Sequence, residues 1–162
     1  MIDYLYNSPD KTEINQKPLR SLNRAIKLSQ GEFSLILAKC DRHSRRGQIV
    51  KRLQQMSAFP IEQLTLHPSV KTLFTTIQTA LKSQQPPALM VFGLESVIAI
   101  DELLIATNLM RNEFSKEFSF PLILWVNDEI LQKMRQLAPD FRSWATSPIC
   151  FLEEKKCFPI TA

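Results

Sequence analysis

Glycine is scarce in this chain, with three in 162 residues: Gly31, Gly47 and Gly93. A loop that wraps a phosphate uses glycine to let backbone N–H groups converge, so the material for such a loop is thin. Histidine is scarcer still, with two residues, His43 and His67. The three cysteines, Cys40, Cys150 and Cys157, are odd in number and show no C-x-x-C spacing. Two histidines and scattered thiols do not make a zinc pattern, so no metal and no cofactor is expected. The cysteine usage is that of reduced thiols, and a cytoplasmic location is the expectation. No apolar run approaches the ~18 residues of a membrane helix. Residues 2–6 are too short for a signal-peptide core, and Asp3 stands where such peptides are basic. No membrane partner is expected.

What is present is a folding composition. The chain is 44% hydrophobic and 22% charged, enough for one domain with a sizeable core. The net charge of +4 is uneven. Lys39, Arg42, Arg45, Arg46, Lys51 and Arg52 cluster, while Asp101, Glu102, Glu113, Glu117 and Asp128 make a later stretch acidic. The positive excess is local, which argues against a general nucleic-acid binder.

Strand and helix patterns alternate. Residues 1–17 read as a loosely ordered lead-in and 154–162 as a polar tail, leaving one domain over 18–153. Pro18 suits the first turn of a helix that places Leu19, Leu22, Ile26 and Ser29 on one face, with Gly31 as its C-cap. Residues 33–38, 88–92 and 122–126 are nearly unbroken apolar runs, as in strands buried on both faces. Residues 61–66 mix apolar and polar positions and read as an edge strand. Residues 149–152 make a plausible fifth strand. Helices are expected over 45–56, from Pro68-Ser69 through Leu81, over 97–118, and from a cap at Asp128. Residues 139–144 read as a short helical turn. Such alternation predicts a three-layer α/β/α sandwich around one mainly parallel sheet of about five strands.

In open parallel sheets, ligands bind beyond the carboxyl ends of the strands. Those ends are residues 39–46, His67, residues 93–96 and Asn127-Asp128. A phosphate-binding P-loop after the first strand would read G-x-x-x-x-G-K-[ST]. Here the first glycine is Gly47, and Gln48 follows it where lysine would be wanted. A magnesium-holding carboxylate would end the strand over 88–92. Gly93-Leu94 stands there, and Glu95 comes late unless the register shifts.

The lead 24–31 into 33–37, then Ala88-Leu89-Met90-Val91-Phe92-Gly93-Leu94-Glu95, then 122–126 followed by 137–144, resembles the P-loop NTPase core of signalling ATPases, the STAND class. More narrowly, it is similar to catalytically degenerate STAND/AAA-like members of bacterial multidomain proteins. The resemblance spans roughly 19–152. It implies a first strand flanked by the fourth and fifth, with the second at one edge. It also implies a pseudoenzyme that works by protein interaction, as a signalling or scaffold module. With the lysine and carboxylates missing from their expected places, no enzyme activity is expected. Two alternatives stand beside this: an atypical ATP- or GTP-binding domain, and a basic adaptor contacting nucleic acid. A protein partner or effector is the favoured partner class.

Each candidate group has a plainer reading. Lys39, Arg42, Arg45 and Arg46 could hold a phosphate or an acidic partner, or could be a solvated turn. Glu95, Asn127 and Asp128 could be vestiges of a metal and sensor site, but Asp128 is a good helix-capping type and capping is preferred. Cys40 and His43 could pair as nucleophile and base, yet a strand-end cysteine is usually just buried. His67 reads as a surface residue. Trp125 reads as core; Trp144 is either an anchor or part of a docking surface.

Overall fold

The structure is a computed structural model. It describes residues 15–41 and 43–152, the side chains of residues 43 and 44 excepted. Five strands, β1 (Ser34–Lys39), β2 (Glu62–Thr65), β3 (Leu89–Phe92), β4 (Pro121–Val126) and β5 (Ile149–Cys150), form one sheet. Every pairing is parallel. The order is β2-β3-β4-β1-β5. So β1 lies between β4 and β5 and β2 is an edge, the arrangement that the resemblance implies.

The helices are α1 (Gln16–Leu28), α2 (His43–Met56), α3 (Leu73–Leu81), α4 (Ile100–Leu109), α5 (Arg111–Glu117), α6 (Asp128–Leu137) and α7 (Pro139–Arg142). Strand alternation sends side chains to two separate cores. On one face Ile36, Ala38, Met90, Ile123 and Trp125 meet Leu19, Leu22 and Ile26 of α1 and Ile49, Val50 and Leu53 of α2. On the other, Leu35, Leu37, Leu89, Val91, Leu122 and Leu124 meet α3 to α7. The chain is a three-layer sandwich, and among the described residues two helices lie on one side and five on the other.

The second core is rich in rings. Phe114 is fully buried and contacts Phe33, Phe74, Phe118 and Phe141, with centroids 4.9–6.2 Å apart. Trp125, also fully buried, stacks on Phe92 at 5.9 Å and packs on Phe151 in the first core, as the sequence suggests. Trp144 is an anchor of the last turn, edge-on to Phe33 at 6.2 Å and tilted on Phe141 at 6.0 Å.

Several boundaries differ from expectation. The helix expected over 97–118 is broken at Met110 into α4 and α5. Arg111 Nη1 donates to the Asn108 carbonyl at 2.7 Å, taking an oxygen that a continuous helix would use internally. Helix α3 starts at Leu73 rather than at Pro68. The His67 ring accepts the Ser69 amide at 3.1 Å and the Pro68 carbonyl accepts from Ile98, so 67–70 is held as a turn. Helix α1 begins at Gln16, inside the expected lead-in, and caps at Ser29; Gly31 takes a left-handed φ of 85° two residues later. The expectations for residues 1–14 and 154–162 lie outside the described residues. Where the described chain begins and ends, the Asn15 side chain donates to the Leu152 carbonyl at 3.1 Å and accepts its amide at 2.8 Å.

Truncating the ring hub tests this packing. Phe114→Ala removes a fully buried ring touching four others. It should cost about 3–5 kcal/mol of unfolding free energy in urea titration, with m little changed.

Candidate functional site

Of the polar residues singled out along the sequence, Lys39, Arg46, Glu95, Asn127 and Asp128 gather at the carboxyl edge of the sheet. Arg46, in the first turn of α2, is 3% exposed. Its Nη1 donates to Glu95 Oε2 at 2.9 Å and its Nη2 to the Cys40 carbonyl at 3.2 Å. Glu95 lies in a 3-10 turn, Leu94–Ser96, directly after β3. Because β4 stands between β1 and β3, the ion pair joins strand ends two positions apart in the sheet. The side chains of Arg46 and Glu95 are 4% and 19% exposed, and Glu95 Oε1 is itself buried, so both charges of the pair are largely shielded from water. Arg46 Nε has no hydrogen-bond partner among the described residues.

Gly93 makes this turn feasible. Its φ is +94°, and a Cβ there would lie 3.1 Å from the Leu66 carbonyl oxygen. Glycine is needed both for the left-handed backbone and for the close approach of β2's end. The turn is what brings Glu95 back to the sheet edge despite its late position in sequence.

A second cluster lies over β1 and β4. Lys39 Nζ contacts Asp41 Oδ2 at 3.0 Å and Asp128 Oδ1 at 3.2 Å. The Asp128 amide donates to Asp41 Oδ1 at 3.1 Å. The cap of α6 is Asn127, whose Oδ1 accepts the Ile130 amide at 2.9 Å. Capping was expected of Asp128; that residue is instead in the helix's first turn, tied to Lys39, because Asn127 takes the extended backbone of a cap. The hydrogen bond to Asp41 raises the Lys39 ammonium's pKa against the opposing effect of burial, with Asp128 helping. Burial alone would raise Asp41, but Lys39 and the Asp128 amide together hold it below its ordinary value.

Of the four basic candidates, then, Lys39 and Arg46 face carboxylates of the same chain. Arg45 is half-buried in the first turn of α2, and Arg42 lies outside the described residues. Cys40 is fully buried in the first core, and the His43 side chain is outside the described residues. His67 is exposed and bonded to Ser69 at 2.7 Å. No group of three metal-ligating side chains occurs among the described residues. Beside Arg46, a groove of about 650 Å³ opens between α2 and the β2–β3 edge, lined by Val50, Lys51, Gln54, Gln63, Thr65 and Phe92. The sequence carried no signal for it beyond the polar residues of β2.

No protein-family model, curated protein or solved structure matches this chain.

Two measurements check these clusters. Glu95→Leu strands a buried guanidinium and should cost about 3 kcal/mol or more, whereas Arg46→Met with Glu95→Leu should recover much of that in the same urea titration. Asp41→Asn keeps the acceptor for the Asp128 amide and removes the charge. Asp41 has a depressed folded pKa, so its contribution is present above its ordinary 3.8 and is lost as pH falls through the folded value. Lys39's contribution is present below its ordinary 10.5 and is lost as pH rises through its raised value. Wild type should exceed Asp41→Asn at pH 7, by less than about 1 kcal/mol since these groups meet water, and the two should converge by about pH 2.

Proposed function

We propose that this domain is a P-loop-NTPase-like module that turns over no nucleotide and works through contacts with protein partners, as a signalling or scaffold unit of the cytoplasm. The strand order supports the kinship: β1 is flanked by β4 and β5, and β2 forms an edge. The observation that carries the reading is the Arg46–Glu95 pair. A phosphoryl-transfer site of this architecture keeps its cation and carboxylate apart, with phosphates and magnesium between them. Here the chain's own carboxylate meets the cation of α2 directly, and Lys39 is bound by Asp41 and Asp128. An entering triphosphate would have to displace internal ion pairs rather than meet waiting positive charge. The same neutralisation weighs against a basic contact with nucleic acid.

Thermal unfolding with ATP, ADP or GTP, each with and without Mg²⁺, tests this. A ligand at 100 times its dissociation constant would add about 2.7 kcal/mol, or roughly 5–10 °C in a domain of this size. The expected result is no displacement of the midpoint with any nucleotide. A rise that depends on Mg²⁺ would instead establish the atypical nucleotide-binding alternative.

A further inference from the structure

Gly47 sits in the second turn of α2, with helical backbone rather than the positive φ of Gly31 and Gly93. Glycine inside a helix is destabilising relative to alanine, so its presence there asks for a reason. Neither backbone geometry nor crowding supplies one, since a Cβ at this position would meet nothing within 4 Å. Gly47 instead lines the groove of about 650 Å³ between α2 and the β2–β3 edge. That volume is within the range of small-molecule sites, about 300–1,000 Å³. The missing side chain keeps the α2 wall low and lets an occupant approach the helix backbone.

The rest of the lining selects the occupant. Val50 and Phe92 are its apolar part, and the Phe92 ring, half-buried, lies stacked on Trp125 at 5.9 Å with 9° between the planes. Gln63 and Thr65 are exposed on β2 and offer an amide and a hydroxyl. Among the described residues no carboxylate lines the groove, and α2 carries none. Arg46 is part of the wall, but Glu95 meets its charge. Lys51, one turn on from Gly47, is in no ion pair among the described residues. The groove therefore offers one uncompensated positive charge beside an apolar, partly aromatic surface. We infer that it binds a small aromatic carboxylate. The ring lies over Gly47 against Val50 and Phe92, the carboxylate meets the Lys51 ammonium, and Gln63 and Thr65 donate hydrogen bonds at its edge. One unmatched cation suits a single negative charge; a triphosphate would bring several that nothing in the groove answers. The site is independent of nucleotide turnover, so its failure would leave the proposed function untouched, and the reverse.

Proton–nitrogen correlation spectra of the whole chain test this. The probes are benzoate, 2-naphthoate and indole-3-acetate, each paired with its neutral amide. Titrated to about 10 mM, at least one carboxylate should saturate and shift the amides of Gly47, Lys51, Gln63 and Thr65. The tightest of the three should bind roughly fivefold better than its own amide, and Lys51→Met should remove that difference. Lys51 is exposed, so this variant reads the charge without altering the core. Gly47→Leu fills the groove and should abolish binding, with a melting temperature no lower than that of wild type because leucine is the better helix former. No saturable binding by any of the three, amides that bind as tightly as their carboxylates, shifts centred on another surface, or binding that persists in a folded Gly47→Leu overturns the inference.

Discussion

A guanidinium taken out of water costs several kcal/mol unless charge and hydrogen bonds meet it. Arg46 is such a group, and much of the carboxyl edge is arranged around it. The Cys40 carbonyl, just past the end of β1, takes one amino group, and Glu95 takes the other. For Glu95 to arrive, the chain must reverse at once after β3, which requires the left-handed Gly93 and its tight approach to Leu66. One buried charge thus sets the geometry of two loops that are distant in sequence.

The strands were legible because three of them are buried on both faces. Such positions favour apolar residues, and 33–38 (Ser34 excepted), 88–92 and 122–126 carry that mark. The edge position of β2 followed from its polar residues, and those polar residues border the groove beside α2. The helix break at Met110 was not legible. The apolar line runs through it, and what marks the break is a single side-chain contact, Arg111 on the Asn108 carbonyl. At the site, Lys39, Arg46, Glu95 and Asp128 could be named in advance, but not their partners. Arg46 and Glu95 are 49 residues apart and reach each other past an intervening strand that contributes neither. Spacing along a chain carries little information about such a contact.

The two faces of the sheet are covered unequally. Among the described residues, five helices and a cluster of phenylalanines close one side, whereas α1 and α2 cover the other. The β2–β3 edge is left partly open on the thin side, where Gln63 and Thr65 replace the aliphatic residues found elsewhere in the sheet. Apolar side chains there would leave a greasy strip beside an unpaired strand edge, a liability that polar residues remove.

The reciprocal amide clasp between Asn15 and Leu152 joins positions 137 apart. Asn15 and Leu152 consequently share a single corner, next to the two-residue strand β5. Tension applied between these two residues would load this clasp and the short β1–β5 ladder first, ahead of the longer β1–β4 ladder. The clasp lies past the carboxyl end of β5, one residue from the Phe151 amide that donates to the Lys39 carbonyl, so such a load would reach the paired charges at that same edge by way of β1.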